Sequence, residues 1–228
     1  MRSIDLSGLW DFETDEENRG ILEKFYERRL KNAGFHLPGT ACENKVGKKQ
    51  EEPEEFTREM VRAPRERYEY IGPLWLQREI EIPESWAGKR ISLVLERVNM
   101  GSEVWLDGEK AGRQVISLSV PHRHRLPEKI CPGVHVLTLR LDNRDLVNLG
   151  EMSSGYSIDT QGIWNGAAGK IRLECEEICG IDQVQIYPEE KGIQVRVTAR
   201  CGVKGYQERQ KGLLRLEVQT PEGRKMEA

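Results

Sequence analysis

Tyr156, Asp159, Trp164 and Asn165 gather a carboxylate, an amide and two aromatic rings within ten residues. A sugar ring needs that combination. Carboxylates and amides pair with its hydroxyls, an aromatic face covers its apolar side, and a polar group left unpaired on burial is costly. A second stretch, Thr40 to Lys45, offers Asn44 as a further amide for a hydroxyl. Each residue also has a plainer reading: Trp164 packs on a sheet, Asn165-Gly166 turns the chain into the next strand, and Asn44 belongs to an ordinary loop.

Other chemistry is sparse. The five cysteines, at 42, 131, 175, 179 and 201, are an odd set without paired spacing, which fits reduced thiols better than a disulfide framework. Cys175 and Cys179 are the one close pair and have no histidine nearby, so neither a metal nor a cofactor is expected. His135 falls on a strand pattern and reads as a packed or edge histidine. Arg58, Arg62, Arg65 and Arg67 are interleaved with Glu59 and Glu66, as in a solvated loop. With 35 basic and 38 acidic residues the net charge is −3, too small a field to draw polyanions, and nucleic acid is not an expected partner. No run approaches the roughly 20 apolar residues of a membrane span, and the first twelve residues lack the apolar core of a secretion signal, so a soluble, cytoplasmic chain is expected.

The elements that would position these residues are strands. Leu74 to Ile82 alternates, with Leu76, Ile80 and Ile82 on one face and Gln77, Glu79 and Glu81 on the other, and Pro83 ends the ladder. Ile91, Leu93 and Leu95 repeat the pattern, and so do Leu137, Leu139 and Leu141. Asp107-Gly108 between two strand-like runs predicts a tight type I′ hairpin. Trp10, Trp75, Trp86 and Trp105 lie on strand patterns or strand ends and read as packing residues.

Earlier in the chain, Ile21, Leu22, Phe25, Tyr26 and Leu30 have helical spacing and predict a short amphipathic helix over 19–31. Residues 42–67 have no period and predict a long loop. A boundary is expected near residue 178. Beyond it Val184 to Tyr187, Ile193 to Thr198 and Leu213 to Gln219 read as three strands, too few for an immunoglobulin-like sandwich of about seven.

Several motifs then fall in a telling order. Leu6-Ser-Gly-Leu-Trp-Asp-Phe12, Leu37-Pro-Gly-Thr40, Tyr70-Ile-Gly-Pro-Leu-Trp-Leu-Gln-Arg-Glu-Ile-Glu-Ile-Pro-Glu-Ser-Trp86, Val104-Trp-Leu-Asp-Gly108, Asp142-Asn143-Arg144 and Asp159-Thr-Gln-Gly-Ile-Trp-Asn-Gly166 follow one another. Together they resemble the N-terminal sugar-binding domain of glycoside hydrolase family 2 over about residues 4 to 177. The order along the chain carries the resemblance, since each motif alone is weak.

The resemblance implies an all-β chain: a jelly-roll-like β-sandwich of the galactose-binding-domain type over 1–177, then a partial immunoglobulin-like β-sandwich over 178–228. In the family a (β/α)-barrel follows and carries two catalytic glutamates for retaining hydrolysis of β-glycosides. Both would lie past residue 228, so no catalytic residue is assigned here. The resemblance further implies that the loop holding Tyr156, Asp159, Trp164 and Asn165 faces the barrel's active site, with Asp159 near a substrate-contacting aspartate of some β-galactosidases. The expected partners are a carbohydrate and the barrel of the same protein, with a homo-oligomer left open. Two other readings stand beside this one: a free-standing carbohydrate-binding module, and a structural or oligomerisation domain.

Overall fold

The computed structural model describes residues 2–51, 66–128, 130–148, 163–190, 192–200, 217–219 and 225–227. Contacts divide the chain into two units, Met1–Glu177 and Ile178–Ala228.

The strands of the first unit are β1 (Arg2–Asp5), β2 (Gly8–Thr14), β3 (Asn32–Leu37), β4 (Gly39–Thr40), β5 (Lys48–Lys49), β6 (Tyr68–Glu69), β7 (Pro73–Ile82), β8 (Arg90–Val98), β9 (Gly101–Leu106), β10 (Glu109–Lys110), β11 (Val115–Ile116), β12 (His122–Arg125), β13 (Gly133–Asp142) and β14 (Gly166–Glu176). They form two main antiparallel sheets. One runs β1-β14-β8-β12, with β4 also pairing β14; the other runs β10-β9-β13-β7-β2-β3, with β11 also pairing β9. From β7 to β9 and again from β11 to β14 the chain passes between the sheets at every step, the wiring of a jelly-roll-like sandwich. β5 and β6 pair by themselves.

Alternation places the core where the sequence expects it. Leu74, Leu76, Ile80 and Ile82 of β7 and Leu137, Leu139 and Leu141 of β13 point inward, against Leu93 and Leu95 of β8 and Ile171 and Leu173 of β14. Burying each such side chain contributes about 1.5–3 kcal/mol. Arg78 breaks the alternation of β7: it donates to the carbonyls of Leu6 and Ser7 at 2.9 Å, satisfying backbone where β2 begins. Asp107 and Gly108 have φ of 50° and 82° and join Leu106 to Glu109, the expected two-residue hairpin.

Residues 19–31 differ from expectation. They form turns and a single 3-10 turn, Phe25–Glu27, rather than an amphipathic helix. The apolar spacing serves a strap across the outward face of the larger sheet, where Phe25 and Leu30 bury against Trp75 and Trp105. Asp15 enforces this path: its carboxylate accepts from the amides of Arg19 and Gly20 and from Trp75 Nε1 at 2.7–3.0 Å. Gly20 lies so close to Trp75 that a Cβ there would stand 2.5 Å from the indole nitrogen. These tertiary bonds outweigh a weak helical preference.

Among the described residues the second unit contains two antiparallel pairs, β15 (Gly180–Glu189) with β16 (Gly192–Arg200) and β17 (Glu217–Gln219) with β18 (Lys225–Glu227). Among the described residues no helix is long and apolar enough to cross a membrane.

Candidate functional site

Of the five residues with sugar-contacting chemistry, Tyr156 and Asp159 lie outside the described residues. The structure places Trp164 and Asn165 immediately before β14, at the end of the sandwich where β4 meets that strand. Gly166 follows with φ of 131°, and a Cβ on it would stand 2.4 Å from the carbonyl oxygen of Gly39. Asn165-Gly166 thus enters a strand directly, and the glycine is required by the close approach of β4.

Three asparagines tie this end together. Asn143, just after β13, is fully buried. Its Nδ2 donates to the carbonyls of Tyr70 and Ile163 at 3.0 Å, and its Oδ1 accepts from the amide of Gly72 and from Asn165 Nδ2 at 2.9 and 3.1 Å. Asn165, also fully buried, donates to the Gly72 carbonyl at 2.7 Å, while its own carbonyl accepts from Ala41 N at 2.7 Å. Asn99, on the turn between β8 and β9, donates to the carbonyl of Trp164 at 3.1 Å. Side-chain amides thus hold the backbone at Ile163 and Trp164 and tie it to Tyr70 and Gly72, with Asn143 supplying donor and acceptor from one group. Trp164 itself is half-buried and, among the described residues, joins none of the aromatic stacks of the sheets.

Ions reinforce the same end. Arg140 bonds Glu103 at 2.8 Å and Asp142 at 3.0 Å, and Arg144 bonds Asp142 at 2.7 Å. Burial pushes the Asp142 carboxyl up, but the hydrogen bonds from Arg144 and the charges of Arg140 and Arg144 outweigh it and hold the group below the usual carboxylate range. Asn18 accepts from both arginines, joining the outer strap to this network.

Asn44 is half-buried in the turn before β5. It accepts from His36 N at 2.6 Å and donates to the carbonyls of His36 and Thr40 at 3.1 and 2.9 Å. These bonds fold its own loop. The residues that sequence reading passed over are Asn99 and Asn143; the second stands inside the Asp142-Asn143-Arg144 motif, but partners 20 to 73 residues away have no sequence signature.

With fold and site in view, the class is clear: an all-β, jelly-roll-like sandwich that has β-glucuronidases among its solved neighbours. The resemblance carried by the ordered motifs thus extends to the fold. A β-glucuronidase from an uncultured Clostridium species matches with a TM-score of 0.63 and 19% identity, covering 88% of this chain and 34% of that one. The Ruminococcus gnavus β-glucuronidase solved in complex with D-glucuronic acid matches with a TM-score of 0.65 and 16% identity, covering 100% of this chain and 38% of that one. Among curated proteins, a β-glucuronidase from Paenibacillus borealis is 28% identical over 104 residues, 46% of this chain and 15% of that protein. The chain therefore spans little more than a third of the solved proteins' length, and its match covers less of the curated one. No protein-family model matches it.

Proposed function

We propose that this chain is the non-catalytic, sugar-contacting portion of a family 2 glycoside hydrolase acting on β-glucuronides. In this reading, residues 1–177 are the sugar-binding sandwich and 178–228 belong to an immunoglobulin-like sandwich. Tyr156, Asp159, Trp164, Asn165 and Asn44 form or support one wall of a site completed by a barrel that supplies both catalytic carboxylates. The observation that carries the reading is the coincidence of ordered family motifs with a sandwich that has β-glucuronidases among its solved neighbours.

The asparagine bonds refine the roles. Asn165 and Asn44 act by holding backbone, because their amide donors are committed within the protein. Trp164 is the described residue left to meet the sugar, its carbonyl fixed by Asn99 and the residue half-buried. An aromatic face at the wall of the site would cover the apolar side of the sugar, and the carboxylate chemistry proceeds elsewhere.

The test is turnover. The purified 228-residue chain is expected to release no aglycone from an aryl β-glucuronide, while a longer protein that joins it to a (β/α)-barrel hydrolyses the same substrate with a higher KM after Trp164→Ala. Hydrolysis by the chain alone, persisting through repeated purification, overturns the assignment.

A further inference from the structure

We propose that the outward face of the seven-stranded sheet holds a second saccharide-binding site, for neutral oligosaccharides, centred on Tyr26. It is separate from the wall containing Trp164 and does not depend on the reading above. The site is an open groove of about 1020 Å³, at the upper end of small-molecule pockets, roughly 300–1,000 Å³.

Its aromatic surface is built in two layers. Trp75 of β7 and Trp105 of β9 are buried on the outward side of the sheet. The strap over residues 19–31 lays Tyr26 on them: its ring lies 5.1 Å from Trp105 at an interplanar angle of 7°, and 6.4 Å from Trp75 at 29°. The half-buried tyrosine, stacked on Trp105 through one face, is among the residues that line the groove. Phe25, tilted against Trp75 at 5.7 Å, anchors the strap beside it. A tyrosine supported in this way is stiff, so little side-chain freedom remains to be lost when a ligand stacks on it.

The polar rim has the chemistry for hydroxyls. Arg29, with 82% of its side chain exposed, pairs with Asp11 at 2.9 Å, and Glu79 of β7 is exposed beside them. Guanidinium donors and carboxylate acceptors at the edge of an aromatic platform match equatorial hydroxyls around an apolar ring face. Charge decides the class of sugar. The groove is lined by Asp11, Glu27, Glu79 and Asp107 against Arg28, Arg29 and Arg78, so neither sign dominates and a neutral saccharide is favoured over a uronate or a polyanion.

The experiment is titration of the full chain with neutral β-linked gluco-, xylo- and galacto-oligosaccharides, and with D-glucuronic acid, followed by calorimetry and by the side-chain NMR signals of Tyr26 and Trp105. The expected result is saturable binding of at least one neutral oligosaccharide with a Kd of roughly 0.1–1 mM, with shifts at Tyr26 and Trp105. Tyr26→Ala should weaken it at least about tenfold, the removal of one stacking contact of about 1.4 kcal/mol, and Tyr26→Phe should retain it within about twofold. The NMR map on the unaltered chain decides the matter even where Tyr26→Ala does not fold. The proposal is overturned by no saturable binding of any neutral oligosaccharide up to about 10 mM, by equal binding after Tyr26→Ala, or by shifts that leave Tyr26 and Trp105 untouched. Turnover by the chain alone would overturn the reading under Proposed function and leave this site standing.

Discussion

The asparagine cluster beside Trp164 and a cluster of histidines between the two sheets are both buried and polar, yet they are made of groups that respond differently to protons. Asn99, Asn143 and Asn165 present amides, which keep the same donors and acceptors across the accessible pH range. In the other cluster Ser102 of β9 stands between two histidines of β12, with Oγ 2.7 Å from His122 Nδ1 and 2.6 Å from His124 Nε2. His122 Nε2 lies 3.0 Å from the Ser117 carbonyl and must donate to it. Its Nδ1 then accepts the Ser102 hydroxyl proton, and Ser102 Oγ accepts from His124 Nε2. The chain of bonds closes with both imidazoles neutral and ties the edge strand of one sheet to the other sheet. The comparison teaches that the amides beside Trp164 keep their bonds as pH changes, next to carboxylates paired with Arg140 and Arg144, whereas the side seam rests on neutral imidazoles that titrate.

The largest expected effect breaks the amide side. Asn143→Ala removes the partner of two carbonyls, one backbone amide and the Asn165 amide, and should destabilise the chain by about 3–5 kcal/mol, read as a shift of the denaturation midpoint. Asn143→Asp keeps the acceptor but sets a carboxylate oxygen against the Tyr70 and Ile163 carbonyls in a fully buried site, so its loss should be at least as large. Equal stability for Ala and Asn would show that the cluster contributes little.

Next comes acid. Burial lowers both histidines, and the neighbouring His122 adds to the effect at His124, which is pushed down to about 4; the Ser117 carbonyl partly opposes it at His122. An unfolded histidine titrates near 6.5, so between pH 6.5 and 4 the unfolded chain binds more protons than the folded one and stability falls as pH falls. The slope is at most about 1.4 kcal/mol per pH unit for each histidine. Burial also works against charge at His135, but the hydrogen bonds to Asp107 and the Cys131 carbonyl prevail and raise it. Its contribution is complete below 6.5 and is lost as pH rises through its raised folded value, so it opposes the other two. Thermal melts from pH 7.5 to 4.5 should show the net decline, and His124→Gln should flatten it. A flat profile in the unaltered chain would contradict the neutral clamp.

Ser102→Ala should cost about 1–3 kcal/mol by leaving two imidazole nitrogens without this partner, while keeping the acid slope, because burial rather than the hydroxyl is its leading cause. The smallest effect is at Asn44→Ala, about 1 kcal/mol, since that amide folds only its own half-buried loop.

The strands β7, β8 and β13 were legible because alternation with period two reports which side of a sheet is dry. The hairpin at Asp107-Gly108 was legible because few residue pairs tolerate its backbone. Residues 19–31 were misread as a helix for a physical reason: Phe25, Tyr26 and Leu30 satisfy helical spacing equally well as a strap over Trp75 and Trp105, and spacing does not say what surface lies beneath. Trp164 and Asn165 were legible as residue types. That Asn165 is committed to Gly72 and Asn143, leaving Trp164 the half-exposed member, was not.

By itself, then, the sequence determined the all-β class, the inward faces of the main strands and the tight turn, since these follow from local patterning and backbone sterics. Only the tertiary structure decided that three asparagines close around one end of the sandwich, that Ser102 meets two histidines from the opposite sheet, and that Tyr26 lies flat on Trp105. Those arrangements join residues roughly 20 to 93 positions apart, and hydrogen-bond and stacking geometry at such separations is set by sheet order and register, which no local pattern encodes.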